Sequence, residues 1–534
     1  MNIKNNIKTV LFFAVITLFM SSCTEDLNII PNDDQTTLSE ELFENESAYK
    51  EVLAGIYANF SLTGTDGATT SNLDGIDPGT SQYGRTLLYL QTLTADQMIW
   101  SYETDQGVAE IQRNTWNAQN PIVLGMFERA RASVGFVNNF LNETTPEKLD
   151  SRNVSDDTRQ EITTFRAEAR LVRALAYYHL MDLYGKAPFT DENSVVNTAP
   201  LEASRSELFT FIESELKAIE ADLKDPRQNE YGRADKAVAW MVLAKIYLNA
   251  EVYIGNDRYS DCIEYCNKIL NSGYVLAPNY LDLFKADNDQ GAARNEIIFA
   301  FVSDGSFVQN FGPTTVMING AVGSIEKNGV DLGVTTEGWG GALRVRKQFA
   351  DLFNGGAFIT DTRNTLITAG RPVTITDIAD RDTGYIIAKY SNVSSGGVAG
   401  GNQTFVDTDF PLFRLADVNL MYAEAVLRGG TGGSIGEAVT LVNQLRTRAN
   451  NPQAITVTDL TLGFILDERS RELHWEAHRR QDLIRFGRFT GGNYNWAWKG
   501  NATNGISIAN HLDLFPIPAS SLASNPNLTQ NSGY

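Results

Sequence analysis

The sequence is poor in the two residues on which most metal and redox chemistry depends. It has three cysteines and four histidines in 534 residues. Beyond Cys23 only Cys262 and Cys266 remain, and their i, i+4 spacing puts them on one face of a predicted helix. Two small apolar side chains facing a core is the favoured interpretation, while a disulfide, whose geometry is demanding, stays open. Zinc would need further ligands nearby, and histidine is scarce.

Positive charge is also scarce. The chain carries 44 lysines and arginines against 65 aspartates and glutamates, a formal net charge of −21. A surface of this sign repels phosphate backbones, which excludes nucleic acid as a partner. A neutral ligand, such as an uncharged glycan, meets no such repulsion.

Long apolar runs are absent except near the N-terminus. Residues 10–20 form a short apolar run behind Lys4 and Lys8. The run is about half the ~20 residues that a membrane-spanning helix needs. This pattern predicts a cleaved signal peptide over residues 1–22.

The leader ends in LFMSSC, which resembles a bacterial lipobox. The resemblance implies that Cys23 is acylated and that residues 23–38 form a lipidated tether. Several acyl chains make such anchoring stable. The acidic pair Glu25 and Asp26 then resembles the surface-export signal of Bacteroidetes lipoproteins. Together these features predict a protein anchored through Cys23 at the outer face of the outer membrane.

The rest of the sequence alternates amphipathic helices with glycine-rich loops, and it predicts a mostly α fold. Helices are predicted at 165–185, 234–253, 259–271, 417–429, 435–450 and 466–487 from apolar residues at helical spacing. Gly185 and Pro188 should end the first of them. Helix pairs with small residues at the crossing points resemble tetratricopeptide hairpins, but no strict 34-residue period exists, so the repeats are degenerate.

The loops divide the predicted scaffold. Residues 39–285 and 413–534 form the helical part, with a loop insert at about 61–120. Residues 286–412 are glycine-rich with short β-branched runs, which predicts an irregular, loop-rich, minor-β lobe laid on the scaffold. Loops on a rigid scaffold are where binding usually takes place. We therefore expect the ligand face on the insert and the lobe.

The last predicted helix carries a dense set of charges that could be mistaken for a catalytic cluster. Opposite charges three and four residues apart on one helix usually form ion pairs along it. We therefore predict a structural role for all of them. These residues are Arg469, Glu472, Glu476, Arg479, Arg480 and Asp482.

Several long segments resemble the SusD/RagB family. They include FRAEARLVRALAYYHLMDLYGKAPF, GRADKAVAWMVLAKIYL, DFPLFRLADVNLMYAEAVLRG, ERSRELHWEAHRRQDLIRFGRF and the C-terminal FPIPASSLASNPNLTQNSGY. The resemblance implies a right-handed helical scaffold of four tetratricopeptide-like units, with a glycan-binding face carried by the remaining loops. It also implies a partner, a SusC-type TonB-dependent outer-membrane transporter, on which the protein sits as a lid.

Aromatic residues on polar loops are the candidates for glycan contact. Sugar rings have apolar C–H faces and polar rims, so proteins stack aromatic rings on the faces and aim polar groups at the hydroxyls. Trp339 lies between glycines that expose its ring. By resemblance to starch-binding members, Trp100 and Trp339 stack on sugars, while Asp77 and Arg85 bond hydroxyls. The alternative for each aromatic is a partly buried loop anchor. The full predicted set is Asp77, Arg85, Trp100, Tyr102, Asp105, Phe307, Phe311 and Trp339.

Two acidic pairs are candidate metal ligands. Asp287 with Asp289, and Asp407 with Asp409, are oxygen-rich pairs of the kind that bind calcium. Neither matches an EF-hand, so a calcium site would have to join distant loops. A solvated acidic loop is the alternative, and the function requires no cofactor.

These features together predict a surface lipoprotein that captures an α-glucan such as starch and delivers oligosaccharides to the transporter. A β-1,3-glucan such as laminarin is the alternative ligand, because it too is helical. Two other classes are weaker: a glycoside hydrolase with paired carboxylates, and a protein-binding scaffold. His179, His474 and His478 fall in predicted scaffold helices, and His511 lacks an obvious nucleophile partner. We therefore expect no enzymatic activity.

Overall fold

The computed structural model describes residues 39–534 except 65–66, 74–75, 196, 323–329 and 336–338. The signal peptide, the tether and Cys23 lie outside the described residues. The chain divides at Tyr49 into two units. The described part of the first contains the helix Ser39–Leu42 and the start of the helix Ala48–Ala58. Residues 50–534 form the second unit, which holds everything described below.

Helices dominate this unit, and strands are few and short. The helices are Tyr83–Leu88, Val108–Arg113, Pro121–Glu143, Pro146–Ser151, Asp156–Tyr184, Arg205–Ile219, Lys236–Leu248, Ala250–Ile254, Tyr259–Leu270, Pro313–Ala321, Lys347–Ala350, Leu415–Leu427, Ile435–Arg448, Leu462–Leu473, Arg479–Arg485 and Ala519–Ser524. The antiparallel strand pairs are Ile99–Trp100 with Leu343–Arg344, Lys186–Pro188 with Glu202–Ser204, Ile297–Phe301 with Phe410–Arg414, and Leu366–Ile367 with Ile386–Ile387. The prediction of a mostly α fold with minor β structure is confirmed.

The long helices pack against one another in chain order. Pro121–Glu143 packs on Asp156–Tyr184, and Lys236–Leu248 packs on Tyr259–Leu270, which in turn contacts Leu415–Leu427. Each helix buries an apolar face against its neighbours. This arrangement agrees with the degenerate helical hairpins expected from the sequence.

The longest helix, Asp156–Tyr184, ends where the sequence predicts and begins nine residues earlier. The side chain of Ser155 accepts a hydrogen bond from the backbone N–H of Thr158 and caps the first turn. Gly185 ends the helix with a φ of 73°, a conformation that favours glycine. The first turns of this helix were not predicted, because they are polar and show little apolar periodicity.

Cys262 and Cys266 lie on the helix Tyr259–Leu270, and their free thiols face the core of the protein. Both side chains are buried, and their sulfur atoms lie 4.0 Å apart. Burial raises the pKa of Cys266 well above its ordinary value. A neutral buried thiol packs as a small hydrophobic group, as the sequence favoured.

The prediction of a single helix over residues 466–487 is wrong. The chain forms the helices Leu462–Leu473 and Arg479–Arg485, and between them Trp475 and Ala477 adopt left-handed φ values of 59° and 61°. Non-glycine residues rarely adopt this conformation. The turn brings the carboxylate of Glu476 to the strand Phe410–Arg414, and the resulting ion pairs stabilise the break.

The charges of this segment also pair differently from the prediction. They contact distant segments as well as their own helix. Arg469 bonds Asp417 at 2.8 Å and Asp482 at 2.9 Å, and Arg479 bonds Asp96 at 2.7 Å. All of these side chains are buried. The cluster is structural, as expected, but it crosslinks the fold.

Low pH should break this network of buried ion pairs. Burial alone would raise the pKa of Glu468, but Arg363 and Arg471 outweigh it and hold the pKa at about 2. A comparable balance holds the pKa of Asp482 at about 2. Carboxylates whose folded pKa lies below the unfolded value of about 4 add stability above pH 4 and lose it as the pH falls through the folded pKa.

We therefore expect the urea midpoint of unfolding to decline from about pH 6, where the buried His179 and His478 stay neutral in the fold but gain protons on unfolding, and to fall more steeply between about pH 4 and pH 2. Circular dichroism during urea titration measures this midpoint. A midpoint that stays constant to pH 2 would contradict the assignment.

Two features join the loop insert to the irregular lobe. The strand Ile99–Trp100 pairs with Leu343–Arg344, with Trp100 opposite Leu343. Arg346 is fully buried and donates to the carbonyls of Met98 at 2.9 Å and Gln112 at 2.7 Å. Burial lowers the pKa of Arg346 to about 9, with partial compensation from acidic neighbours. These contacts place the candidate ligand face at the junction.

Candidate functional site

An open groove of about 590 Å³ lies at the junction of the insert and the lobe. Seven of the eight predicted glycan-binding residues line it, and they come from chain segments more than 200 residues apart. The groove residues are Asp77, Gly79, Thr80, Arg85, Trp100, Tyr102, Thr104, Asp105, Gln106, Phe311 and Trp339. The structure therefore brings most of the predicted set together.

The aromatic rings of the groove stand at steep angles to one another. The centroids of Trp100 and Trp339 are 6.2 Å apart, with the ring planes at 82°. Tyr102 lies 5.3 Å from Trp100 at 56°. Only 2% of Trp100 is exposed, whereas Trp339, Tyr102 and Phe311 are half-buried. Most of the accessible aromatic surface thus belongs to the last three residues.

The turn that follows the strand Ile99–Trp100 fixes the buried indole. Its ring N–H donates to the carboxylate of Asp105 at 3.0 Å. The guanidinium of Arg381 lies 4.2 Å from the ring centre of Tyr102. A cation over one ring face stabilises its orientation. Trp100 and Tyr102 are therefore each held by a side-chain contact.

The predicted polar residues differ in exposure. Asp77 is exposed and accepts hydrogen bonds from the backbone N–H of Thr80 at 2.8 Å and its hydroxyl at 2.9 Å. Arg85 is buried and donates to the carbonyl of Gly79 and to the hydroxyl of Tyr89 at 3.1 Å. Burial raises the pKa of Tyr89, against the lowering effect of Arg85. Within the described part of the chain, Nη2 of Arg85 has no protein partner.

Phe307 is the predicted residue that does not join the groove. It is 89% exposed at the tip of a tight loop. The carboxylate of Asp304 accepts the backbone N–H groups of Ser306 and Phe307, each at 2.7 Å, and fixes this tip. Phe311 reaches the groove instead and packs edge-on to Phe405 at 5.2 Å.

Sequence reasoning missed four of the residues that line the groove. Thr80, Thr104 and Gln106 add polar side chains, and Gly79 adds backbone. Each lies one to three residues from a predicted residue on the same loop. Their positions could have been inferred from that proximity, but their side chains carry no pattern of their own.

Comparison with known proteins identifies the family. The sequence profile of the SusD family matches residues 349–534. Over 98% of its length the chain is 35% identical to the starch-binding protein SusD of Bacteroides thetaiotaomicron, and the match covers 97% of that protein. This chain belongs to the SusD family.

Solved structures of the SusD superfamily share the fold. A SusD superfamily protein from Bacteroides vulgatus has a TM-score of 0.70 at 18% identity, covering 92% of this chain and 100% of that chain. Surface glycan-binding protein A from Bacteroides thetaiotaomicron, in complex with laminarihexaose, has a TM-score of 0.66 at 20% identity. That match covers 90% of this chain and 98% of the other. Two of these relatives, starch-binding SusD and surface glycan-binding protein A, are named as binding proteins, and the prediction that this SusD family member is a binding protein and not an enzyme agrees with these names.

Three of the four histidines are also poor candidates for acid–base chemistry. His179, His474 and His478 are buried. Burial lowers the pKa of all three, to about 3 for His179 and His478. Imidazoles in this state stay neutral at physiological pH.

The acidic pairs proposed for calcium serve other contacts. The two carboxylate oxygens of Asp407 accept the backbone N–H groups of Gly305 and Gly401, each at 2.7 Å. Asp287 accepts from Ser395, and Asp409 accepts from Ser303. Across the described residues no three or more histidine, cysteine or acidic side chains form a metal-binding group. Asp289 and the other three carboxylates therefore do not converge on one site.

None of the helices in the described part of the chain combines the length and the apolar content that crossing a bilayer requires.

Proposed function

We propose that the groove captures glycan chains at the cell surface. The single observation that carries this proposal is the convergence of Trp339, Tyr102 and Phe311 around one open groove. Half-buried aromatic rings offer apolar faces to the C–H faces of sugars. Asp77 and Asp105 supply acceptors for hydroxyl groups, and Nη2 of Arg85 supplies a donor.

The ligand is a curved, neutral chain, and an α-glucan of the starch type fits best. The planes of the accessible rings of Tyr102 and Trp339 stand at 56° and 82° to the buried Trp100, so these two rings cannot be coplanar and they form a bent surface. A flat β-1,4-linked ribbon needs nearly coplanar rings, whereas successive sugars of a helical glucan turn. Similarity to a protein named for starch binding supports this choice.

A β-1,3-glucan is the second candidate. One structural relative was solved in complex with laminarihexaose. Laminarin is also helical, so its chain would follow the same bent surface. The carboxylates of the exposed Asp77 and the half-buried Asp105 disfavour acidic glycans in either case.

The cellular role extends this binding to uptake. The protein is anchored through acylated Cys23 at the outer face of the outer membrane, and it delivers oligosaccharides to a SusC-type TonB-dependent transporter. Membership of the SusD family and the lipobox-like LFMSSC segment support this role. The helical parts, 39–285 and 413–534, serve as scaffold, while the 61–120 insert and the 286–412 lobe carry the ligand. The proposed binding requires no cofactor.

Affinity gel electrophoresis of the mature chain tests the ligand class. We expect starch and glycogen to slow migration most, laminarin to slow it less, and hydroxyethylcellulose and alginate to leave it unchanged. Reducing-sugar release from starch by the same sample should stay at the level of buffer. Equal retardation by hydroxyethylcellulose would contradict a bent-chain ligand, and no retardation by any neutral glycan would overturn the function.

A further inference from the structure

One buried side chain, Gln112, contacts both backbone groups of Trp100. Its carboxamide oxygen accepts the backbone N–H of Trp100 at 2.9 Å, and its NH₂ group donates to the carbonyl of Trp100 at 3.1 Å. The side chain thus pairs with the backbone N–H and C=O of Trp100 in the way that the backbone of a neighbouring strand would. Gln112 itself is fully buried and has no contact with the groove.

The carboxamide has only one acceptable orientation. Its NH₂ group also donates to Glu103 at 2.8 Å, and Glu103 is held by Arg113 at 2.6 Å and 2.7 Å. Burial would raise the pKa of Glu103, but the hydrogen bonds from Arg113 and Gln112 outweigh it and lower the pKa. The ionised carboxylate accepts only, so the NH₂ group must face it. The oxygen is then fixed toward Trp100.

The indole is also confined from behind. A Cβ atom on Gly320 would lie 2.5 Å from Cζ3 of Trp100 and 3.1 Å from Cδ1 of Leu343. No real side chain tolerates the first distance, so the helix Pro313–Ala321 must carry glycine here for the ring to keep its place. Ring and helix backbone are in direct contact.

We propose that Gln112 is a positioning residue for glycan recognition, acting through Trp100. This inference rests on the proposed function of the groove. Trp339 packs on the Trp100 indole, so the angle between the rings depends on where the backbone of Trp100 is held. A ring pair that is fixed before binding loses less freedom when a ligand stacks on it.

Two near-isosteric variants test the role of the carboxamide. Gln112→Glu keeps an acceptor for the Trp100 N–H but places oxygen against Glu103 and the Trp100 carbonyl. Gln112→Met removes all three hydrogen bonds. We expect each variant, at a temperature where circular dichroism shows it folded, to bind starch about tenfold more weakly, the equivalent of one lost stacking contact.

The ring pair supplies a second readout that needs no glycan. Two indoles 6.2 Å apart and nearly perpendicular give a circular dichroism couplet, identified as the signal that Trp339→Phe removes. Both Gln112 variants should weaken this couplet. Folded variants that keep the couplet and the affinity of the unchanged protein would overturn the proposal. If the unchanged protein binds no glycan, the proposed function fails, while the couplet still tests the positioning.

Gly320→Ala approaches the same ring from the other side, without touching Gln112. Alanine is the better helix former, but the added methyl group also overpacks this site, so binding is measured at a temperature where circular dichroism shows the variant folded. The added methyl group must displace the Trp100 ring, which should weaken both the couplet and starch binding. Gly135→Ala is the matched control, since nothing lies within 4 Å of its Cβ position in the helix Pro121–Glu143. Equal behaviour of the two alanine variants would overturn the claim that ring position controls affinity.

Discussion

Replacing Arg414 by methionine is expected to lower the free energy of unfolding by about 3–5 kcal/mol. The guanidinium is buried at the end of the strand Phe410–Arg414. It bonds Glu476 at 2.6 Å, Glu472 at 2.7 Å and Glu296 at 2.9 Å. Methionine keeps most of the length but removes the charge, so three buried carboxylates lose a shared partner. Native domains are stable by only about 5–15 kcal/mol, so this variant should be close to unfolding.

The loss of stability in the Arg414 variant should be limited, because other cations still face the same carboxylates. Burial would raise the pKa of Glu472, but Arg448, Arg414 and Arg363 together hold it below its ordinary value. Without Arg414, the remaining two guanidinium groups still face this carboxylate. Lys389 likewise stays at 2.5 Å from Glu476. The loss therefore resembles one broken buried pair more than three.

A surface ion pair gives the matched control for Arg414. Arg159 bonds Asp150 at 2.7 Å, with side chains 29% and 73% exposed. Arg159→Met should cost less than about 1 kcal/mol, because water screens such pairs. Urea unfolding followed by circular dichroism measures both variants. Equal losses for the two would mean that the buried network contributes no more than the surface pair.

The sequence predicted the scaffold best where a helix has one exposed and one buried face. The helix predicted at 259–271 is observed as Tyr259–Leu270. Its pattern is readable because apolar residues recur on the inner face only. The break within 466–487 was not readable, because both flanking helices are buried and Trp475 in the turn bonds Gln97 and Tyr390, which are distant in the chain.

Long-range pairing also explains what could and could not be predicted of the groove. Trp100, Tyr102 and Asp105 lie on one short segment of the chain, so their proximity follows from the sequence. Trp339 reaches them through a strand pair of only two residues, which is too short to leave a periodic pattern. Family resemblance supplied that link instead.

The burial of Trp100 was beyond sequence reasoning for the same reason. The groups that enclose it, Gly320, Leu343 and Trp339, all lie more than 200 residues away. Polar neighbours along the chain suggested an exposed ring, yet 2% of the residue is accessible. The more exposed Trp339 is consequently the sharper residue to change.

Trp339→Ala is expected to abolish retardation by starch in affinity electrophoresis while leaving the melting temperature nearly unchanged. The ring is half-buried at the groove and its loss opens no deep cavity. A stacking contact is worth about 1–3 kcal/mol, roughly a five- to 150-fold change in affinity. Polysaccharide binding at an open groove is weak, so a loss of this size should reduce it below the level that retardation detects.

Trp240→Ala is the matched control for this change. Trp240 is also half-buried, but it lies on the scaffold helix Lys236–Leu248, where its ring N–H donates to Glu220 at 2.9 Å. Its removal should lower the melting temperature and leave retardation intact. The two variants thus separate stability from recognition in opposite directions. If Trp339→Ala kept full retardation by starch, this groove could not be the glycan-binding site, because without that indole the groove would lack the ring angle that we assign to binding, and the polar rim would have no stacked sugar to contact.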